Sequence, residues 1–503
     1  MFETIGEALS LALAWDNFLY MVLGVVVGVA FGAIPGLSGI LAISLLLPFT
    51  FFLRPVAAMS LLLGAYKGSM FGGSISAITF GVPGDAPAAA TQLDGYPMTK
   101  QGKPYKALST ALYSSIAGNW IADLVVIFTF VPLGILALKF GPRELFALML
   151  VAITTLTVFV QTGFCKAILG AMIGFFLASI GLDPIMAYPR FTFGLRELET
   201  GISLVPFVVG LFALSELLVQ FTGAFDRKIK EARPELSELR KMLGQRSPED
   251  RLPIREWLSY WRETAIGSGL GVFLGALPGP GATMSAFTAH GLAGRLSKNK
   301  GKIGTGIPEG IAAAESGNSA TVGPTLIPLF AFGIPGSGIA GLFVGAFMLQ
   351  GITPGPGLFT DYADVMTAVF IMMLFGTLAN LVISKFLMIP VFSRLGLIEA
   401  KLLVPVLMPL LILGMYAISH NPAHIIIMAG AGLLGLALRH FQVPLAPTVV
   451  AFMIGPMFEK HFRRGLIIST SWTYWFSSPI AIGLYIAAFV VVLFMLFGRG
   501  RKG

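Results

Sequence analysis

Four prolines, each followed by glycine, interrupt apolar sequence: Pro35-Gly36, Pro83-Gly84, Pro278-Gly279 and Pro335-Gly336. Proline removes a backbone donor and stops a regular helix, and glycine admits conformations that other residues avoid. A helix restarting beyond such a break presents unpaired N–H groups with partial positive charge, which suit a carboxylate. A helix ending before it presents free carbonyls, which suit a cation. Small and hydroxyl-bearing residues crowd the same stretches, with Thr283 among them. The expected anion-binding set is Gly36, Ser38, Ser69, Gly72, Gly73, Ser74, Gly84, Gly279, Gly281, Gly336 and Ser337. The expected cation shell is one of hard oxygens: Asp85 just past a break, with Glu315, Asn318, Ser319 and Thr321 in "AAAESGNSATVGP".

Few other ionisable residues sit in apolar surroundings. Intramembrane charge is costly and marks function by default. Lys67 in "GAYKGSMFGG" would pair an anion or one of the acids, or snorkel to an interface. Asp123 reads as a structural interhelical bond, and Glu309 lies near Glu315. His420 and His424 have a spacing that metal sites use, but no third ligand is near. The single cysteine, Cys165, excludes an internal disulfide and reads as a small buried apolar residue. No G-x-x-x-x-G-K-[ST] run is present, so the chain carries no Walker-type ATPase of its own.

The elements that must hold these groups are read from hydropathy. Of 503 residues, 55% are hydrophobic and 12% charged, against roughly 25% charged in soluble domains. Apolar runs cover Asn17 to Ile34, Arg143 to Gln161, Phe164 to Gly181, Gly201 to Gln220, Met366 to Ile383, Leu402 to Ile418 and Pro479 to Phe497. Each approaches the ~20 residues that cross a bilayer as a helix. The expected fold is an all-α polytopic membrane protein with about 10–12 transmembrane helices, some broken or re-entrant. The run from Lys106 to Phe140 reads as one long helix or two short ones. The N-terminus lacks a basic region and a clear cleavage site, so no removable signal peptide is expected. A net charge of +9 points to cytoplasmic loops rather than to nucleic acid.

The chain repeats itself. "FGAIPGLSG" matches "LGALPGPGA", and "FGVPG…LDGYP" matches "FGIPG…LQGITP", in the same order. Two membrane repeats, 1–222 and 263–503, flank a polar linker, 223–262, with ten Lys/Arg and seven Asp/Glu. Its end, "WLSYWR", places Trp257, Tyr260 and Trp261 at near-helical spacing, as an interfacial helix or a solvated linker would. Trp472, Tyr474 and Trp475 read as an interfacial anchor. Met98 to Lys106 has three Lys, whereas its counterpart Ile352 to Tyr362 has no Lys or Arg. The bias reverses for Arg295 to Lys302, with four basic residues, against Thr50 to Val56, with one. Equivalent loops on opposite sides make inverted repeats. The positive-inside tendency puts the linker, the 295–302 loop and the C-terminal Arg499, Arg501 and Lys502 in the cytoplasm. Paired interruptions in such repeats point to a binding site.

The stretches "GAIPGLSG", "YKGSMFGGSISAITFGVPGDAPAAATQLDGYPMTKQG", "GALPGPGA" and "GIPEGIAAAESGNSATVGPTLIPLFAFGIPGSGIAG" resemble the large permease subunit of tripartite tricarboxylate transporters, over nearly the whole chain. The resemblance implies a multi-pass carrier of the bacterial inner membrane, importing citrate or related carboxylates on a cation gradient. It also implies two partners, a small membrane subunit and a periplasmic solute-binding protein. The family's glycine-rich stretches correspond to Gly68 through Asp85 and Glu315 through Gly338. No cofactor is implied beyond a coupling ion, Na⁺ or H⁺. A channel is the first rival, since re-entrant loops also build filters. A membrane-embedded enzyme is the second, and the scarce His and scattered acids argue against it.

Overall fold

The computed structural model describes residues 2–160, 163–221, 248–395 and 402–498. Residue 222, most of the linker (residues 223–247) and the C-terminal basic residues lie outside the described residues. Almost all regular structure is helical, and the one small sheet among the described residues pairs Gly181–Leu182 with Pro189–Arg190. In chain order the helices are α1 (Phe2–Ala12), α2 (Trp15–Ala33), α3 (Gly39–Thr50), α4 (Pro55–Phe80), α5 (Ala88–Lys100), α6 (Pro104–Ala137), α7 (Pro142–Val158) and α8 (Phe164–Ala178). They continue with α9 (Leu204–Phe221, containing a π turn at Gly210–Leu214), α10 (Ile254–Leu258), α11 (Trp261–Ala276), α12 (Gly281–Leu296), α13 (Pro308–Ser319), α14 (Ile327–Phe332) and α15 (Gly338–Leu349). The last are α16 (Ala363–Ile383), α17 (Ile389–Leu395), α18 (Val404–Ser419), α19 (Pro422–His440), α20 (Leu445–Ile468) and α21 (Pro479–Gly498).

Among the described residues, five helical spans are long and apolar enough to cross a membrane by length and composition, namely α2, α6, α9, the continuous run Ala363–Phe392, and α19. Shorter apolar helices, α3, α8, α15, α18 and α21, accompany them. The polytopic all-α expectation holds. The Lys106 to Phe140 run is one helix, α6, which continues through Pro132. Its outer face leaves Phe128, Val131 and Ile135 exposed, as suits contact with lipid.

Glycines set the tightest packing. Gly24, Gly28 and Gly32 on α2 lie against the backbone of α4, and Gly64, Gly68 and Gly72 on α4 lie against that of α2. Side chains there would overlap main chain, and this small-residue spacing lets membrane helices approach closely. Gly267, Gly271 and Gly275 on α11 press the same way against α13 and the turn after it. The next helices then cross between these units. α6 packs on α11 and α13, and α16 packs on α2 and α4.

The four Pro-Gly breaks at Pro35, Pro83, Pro278 and Pro335 fall between helices: α2/α3, α4/α5, α11/α12 and α14/α15. The basic loops share one face. Lys103 pairs Glu249 at 3.8 Å and Lys106 pairs Glu256 at 2.6 Å, and Gln101 donates to the Thr305 carbonyl at 3.3 Å. At the far end of α6, Gly134 abuts Phe359.

Three expectations need correction. Cys165 is exposed rather than buried, on an outer face of α8 that also shows Leu169, Met172 and Phe176. "WLSYWR" spans the end of α10, a turn at Ser259-Tyr260 and the start of α11, and is not one interfacial helix. Trp257 donates to Ser114 Oγ at 3.0 Å and Tyr260 is buried, while only Trp261 faces outward. Trp475 is also buried, stacked on Phe462 and closing over Gly465, so Trp472 alone of that pair of tryptophans is exposed.

Candidate functional site at four broken helices

The breaks converge by pairs. Gly84 lies against the Gly32 carbonyl and Gly73, with its N–H donating to the Gly73 carbonyl at 3.2 Å. The Gly279 N–H donates to the Gly336 carbonyl at 3.1 Å. Helices α3 and α15 run side by side in the same direction: Leu47 packs on Gly345 about two turns in, and Gln350 donates to the Thr50 carbonyl at their far ends. Helices α5 and α12 do likewise, through Ala90 and Ala286 and then Asp94 and His290 at 2.8 Å. Four helix N-termini therefore begin at neighbouring breaks. Gly36 (φ +91°) and Gly279 (φ +109°) turn the chain there in a conformation that favours glycine.

The N-terminus of α3 already holds a carboxylate. Ser38 caps the helix, accepting from the Leu41 N–H at 3.1 Å. The Ser38 N–H and Oγ each donate to Glu216 of α9 at 2.9 Å. Arg439 of α19 donates to the same carboxylate at 3.4 Å and to Ser215 at 3.1 Å. Gln220 donates to the Gly36 carbonyl. The parallel N-terminus of α15 is capped in the same way: Ser337 accepts from the Ala340 N–H at 3.1 Å. Ser337 is half-buried, and Phe212, one turn before Glu216, packs on Gly338. Gly281, opening α12, has open space where a side chain would be.

The remaining expected anion residues divide by role. Gly72 is a packing contact with α2, and Ser69 donates to its own helix at Tyr66 while pressing on Gly39. Gly73 receives the Asp85 side chain. Ser74 donates to Glu315 rather than facing a break.

Among the expected cation ligands, Glu315 and Asn318 lie on one face of α13, against α4. Both are fully buried. Glu315 Oε1 accepts from Ser74 and Thr91, and Asn318 Nδ2 donates to the Met70 carbonyl at 3.1 Å. Glu315 Oε2 and Asn318 Oδ1 have no partner. Asp85 accepts from the Ala88 N–H at 3.1 Å and so starts α5. Ser319 turns away to Ser115 of α6 at 2.6 Å, and Thr321 donates to the Asn318 carbonyl at 2.7 Å.

Lys67 does not snorkel. It is wholly buried, with both Asp123 oxygens at 2.8 Å, Thr377 at 3.0 Å and Asn119 at 3.4 Å. Asp123 is thus the interhelical bond its sequence setting suggests. Glu309 accepts from Asn299 at 2.6 Å in the basic loop. His424 meets Ser203 at 3.0 Å, and no group of three potential metal ligands occurs among the described residues. Glu216 and Arg439 were not foreseen. Glu216 is an acid inside the apolar run 201–220, the signal that singled out Lys67.

Comparison with known proteins bears on this arrangement. The sequence profile of the tripartite tricarboxylate transporter TctA family matches residues 18–450. An uncharacterized 52.8 kDa protein in the TAR-I ttuC' 3' region of Agrobacterium vitis is 33% identical over 492 residues, covering 96% of this chain and 94% of that one. A protein in the TAR-II ttuC' 3' region of the same organism is 35% identical over 227 residues, covering 45% of this chain and 93% of that one. No solved structure matches.

Proposed function

Because the chain belongs to the tripartite tricarboxylate transporter TctA family, we propose that it is the permease of a secondary carrier importing organic carboxylates across the bacterial inner membrane. The single observation that carries this is the meeting of four helix N-termini at paired Pro-Gly breaks. Such ends are ready-made sites for carboxylates, and non-helical backbone survives at membrane depth only where it is buried or lines a cavity. We assign the substrate's carboxylates to the N-termini of α15 and α12, at Ser337, Gly336, Gly279 and Gly281. Glu216 on Ser38 marks the chemistry such an end accepts. The coupling cation belongs with Glu315, Asn318 and Asp85.

The two repeats are read as inverted, and the reciprocal seating of α6 and α16 supports this. So does the gathering of basic loops on one face, the cytoplasmic one by the positive-inside tendency. A small membrane subunit and a periplasmic solute-binding protein would complete the carrier, the latter delivering substrate.

The test is uptake of radiolabelled citrate and other di- and tricarboxylates into proteoliposomes. The purified complex is used with its solute-binding protein, with and without an inward cation gradient. Saturable, gradient-dependent uptake is expected. Linear, non-saturating flux would favour the channel, and no flux of any acid through an assembled complex would reject the substrate class.

A further inference from the structure

Two buried oxygens one helical turn apart lack a partner, Glu315 Oε2 and Asn318 Oδ1. Both belong to α13 and face α4, where Ser74 and Met70 hold the other atom of each side chain. The carboxylate Oε1 is already doubly bonded by Ser74 of α4 and Thr91 of α5. An ionised, dry carboxylate without a counter-charge is strongly disfavoured, and a buried acceptor left without a donor is destabilising as well.

No positive group compensates it. The buried charged groups on the packed elements are Lys67 and Asp123 on α4 and α6, Asp94 and His290 on α5 and α12, and Glu263 on α11, with Asp85 at the α4/α5 break; Lys100, Lys106, Arg262 and Arg295 sit in the terminal turns of α5, α6, α11 and α12, away from the buried face. Lys67 is committed to Asp123, and His290 to Asp94. Asp85 is a second acid. A single proton on Oε2, donated to Asn318 Oδ1, would satisfy both unpartnered oxygens at once and remove the charge. A Na⁺ shell needs several free oxygens, which unwound backbone usually supplies. Here Glu315, Asn318, Met70 and Ser74 all lie inside regular helices, whose carbonyls are engaged.

Resting on the carrier reading above, we propose that Glu315 is the proton-binding site of the transport cycle. Its acid form is locked by Asn318 and bridges the second half of the chain to α4 and α5 of the first. Proton binding would join α13 to the segment that carries Asp85 and the Pro83-Gly84 break. Proton release would put a bare charge between them and loosen that contact. The proton comes from water on one side and returns to water on the other, so no co-reactant is required.

The first readout does not depend on transport. Infrared difference spectra of the purified complex at neutral pH should show the carbonyl band of a protonated carboxyl group. E315Q should lose that band, D85N should keep it, and saturating Na⁺ should leave it unchanged. The same band in wild type and E315Q, or its abolition by Na⁺, would overturn the proposal. If E315Q does not fold, Thr91→Val and Ser74→Ala should each shift the band, and no shift in either would count against it. In proteoliposomes, E315Q should lose the accumulation driven by a pH gradient that the wild type shows. Retained pH-driven accumulation in E315Q would overturn proton binding at this site. Absence of wild-type counterflow would instead reject the carrier reading, while the infrared result judges the proton site by itself.

Discussion

Lys67 shows how much of a residue's role depends on partners far off in sequence. Its type and apolar setting were legible, and they named the options of an acid, an anion or an interface. Its acid is 56 residues away and its hydroxyl partner, Thr377, 310 residues away, so no local pattern reports them. Removing one member of a buried ion pair strands the other charge, at a cost of about 3–5 kcal/mol. Asp123→Asn should therefore lower stability by that order, measured by unfolding of the detergent-solubilised protein. The double variant Lys67→Met/Asp123→Leu should recover most of the loss, because replacing a buried pair with apolar side chains is often neutral or stabilising. Equal instability of the double and single variants would show that the pair has a further role. Glu216 makes the complementary point. Its partner Ser38 lies 178 residues away, but a lone acid in an apolar run was itself a signal.

At the scale of elements, the breaks were legible because proline and glycine dictate backbone locally, and each of the four named Pro-Gly breaks does separate two helices. The matched endings "LDGYP" and "LQGITP" also acquire matched work. Asp94 gathers the N–H groups of Gly304, Gly306 and Ile307 at 2.8–3.1 Å, in the loop between α12 and α13. Gln350 reaches the Thr50 carbonyl, beside the loop between α3 and α4. Each holds a hairpin loop of the other half, which the repeat alone did not reveal. The glycine faces explain why these hairpins pack as they do. A Cβ added at Gly267 would meet the Ser316 side chain and the backbone of α13, whereas one added at Gly269 of the same helix meets nothing within 4 Å. Gly267→Leu should cost at least about 1–3 kcal/mol as overpacking and sharply reduce folded yield on size-exclusion chromatography. Gly269→Leu should behave as the parent, and similar losses in both would remove the helix–helix contact as the cause. The aromatic clusters were less legible. Periodicity cannot say which side of a turn meets protein, and so Trp257 and Trp475 turned inward against expectation.

At the scale of the whole molecule, charge placed the loops where packing now puts them together. A span of 34 residues makes α6, about 50 Å at 1.5 Å per residue, enough to pass the ~30 Å hydrocarbon core and emerge on both sides. Its first turn meets the linker through Lys106 and Glu256, and its last meets Phe359 through Gly134. The loop around Lys100, joined to Thr305 through Gln101, and the loop around Thr360 therefore sit at opposite ends of one helix. Hydropathy could not decide this, because a break can return the chain to the face it left, and only charge carries a sign for the side. The decisive comparison uses single cysteines in a Cys165→Ser background, since the native thiol is exposed. A membrane-impermeant maleimide applied to intact inner-membrane spheroplasts should label Thr360→Cys at once. It should reach Lys100→Cys only after permeabilisation. Labelling of both from outside would place equivalent loops on one side, and the repeats would then be parallel. With parallel repeats, N-termini meeting at the breaks would no longer imply a site open alternately to the two sides. Opposite labelling leaves α3 and α15 running outward and α5 and α12 inward from that meeting point, the geometry that alternating access requires.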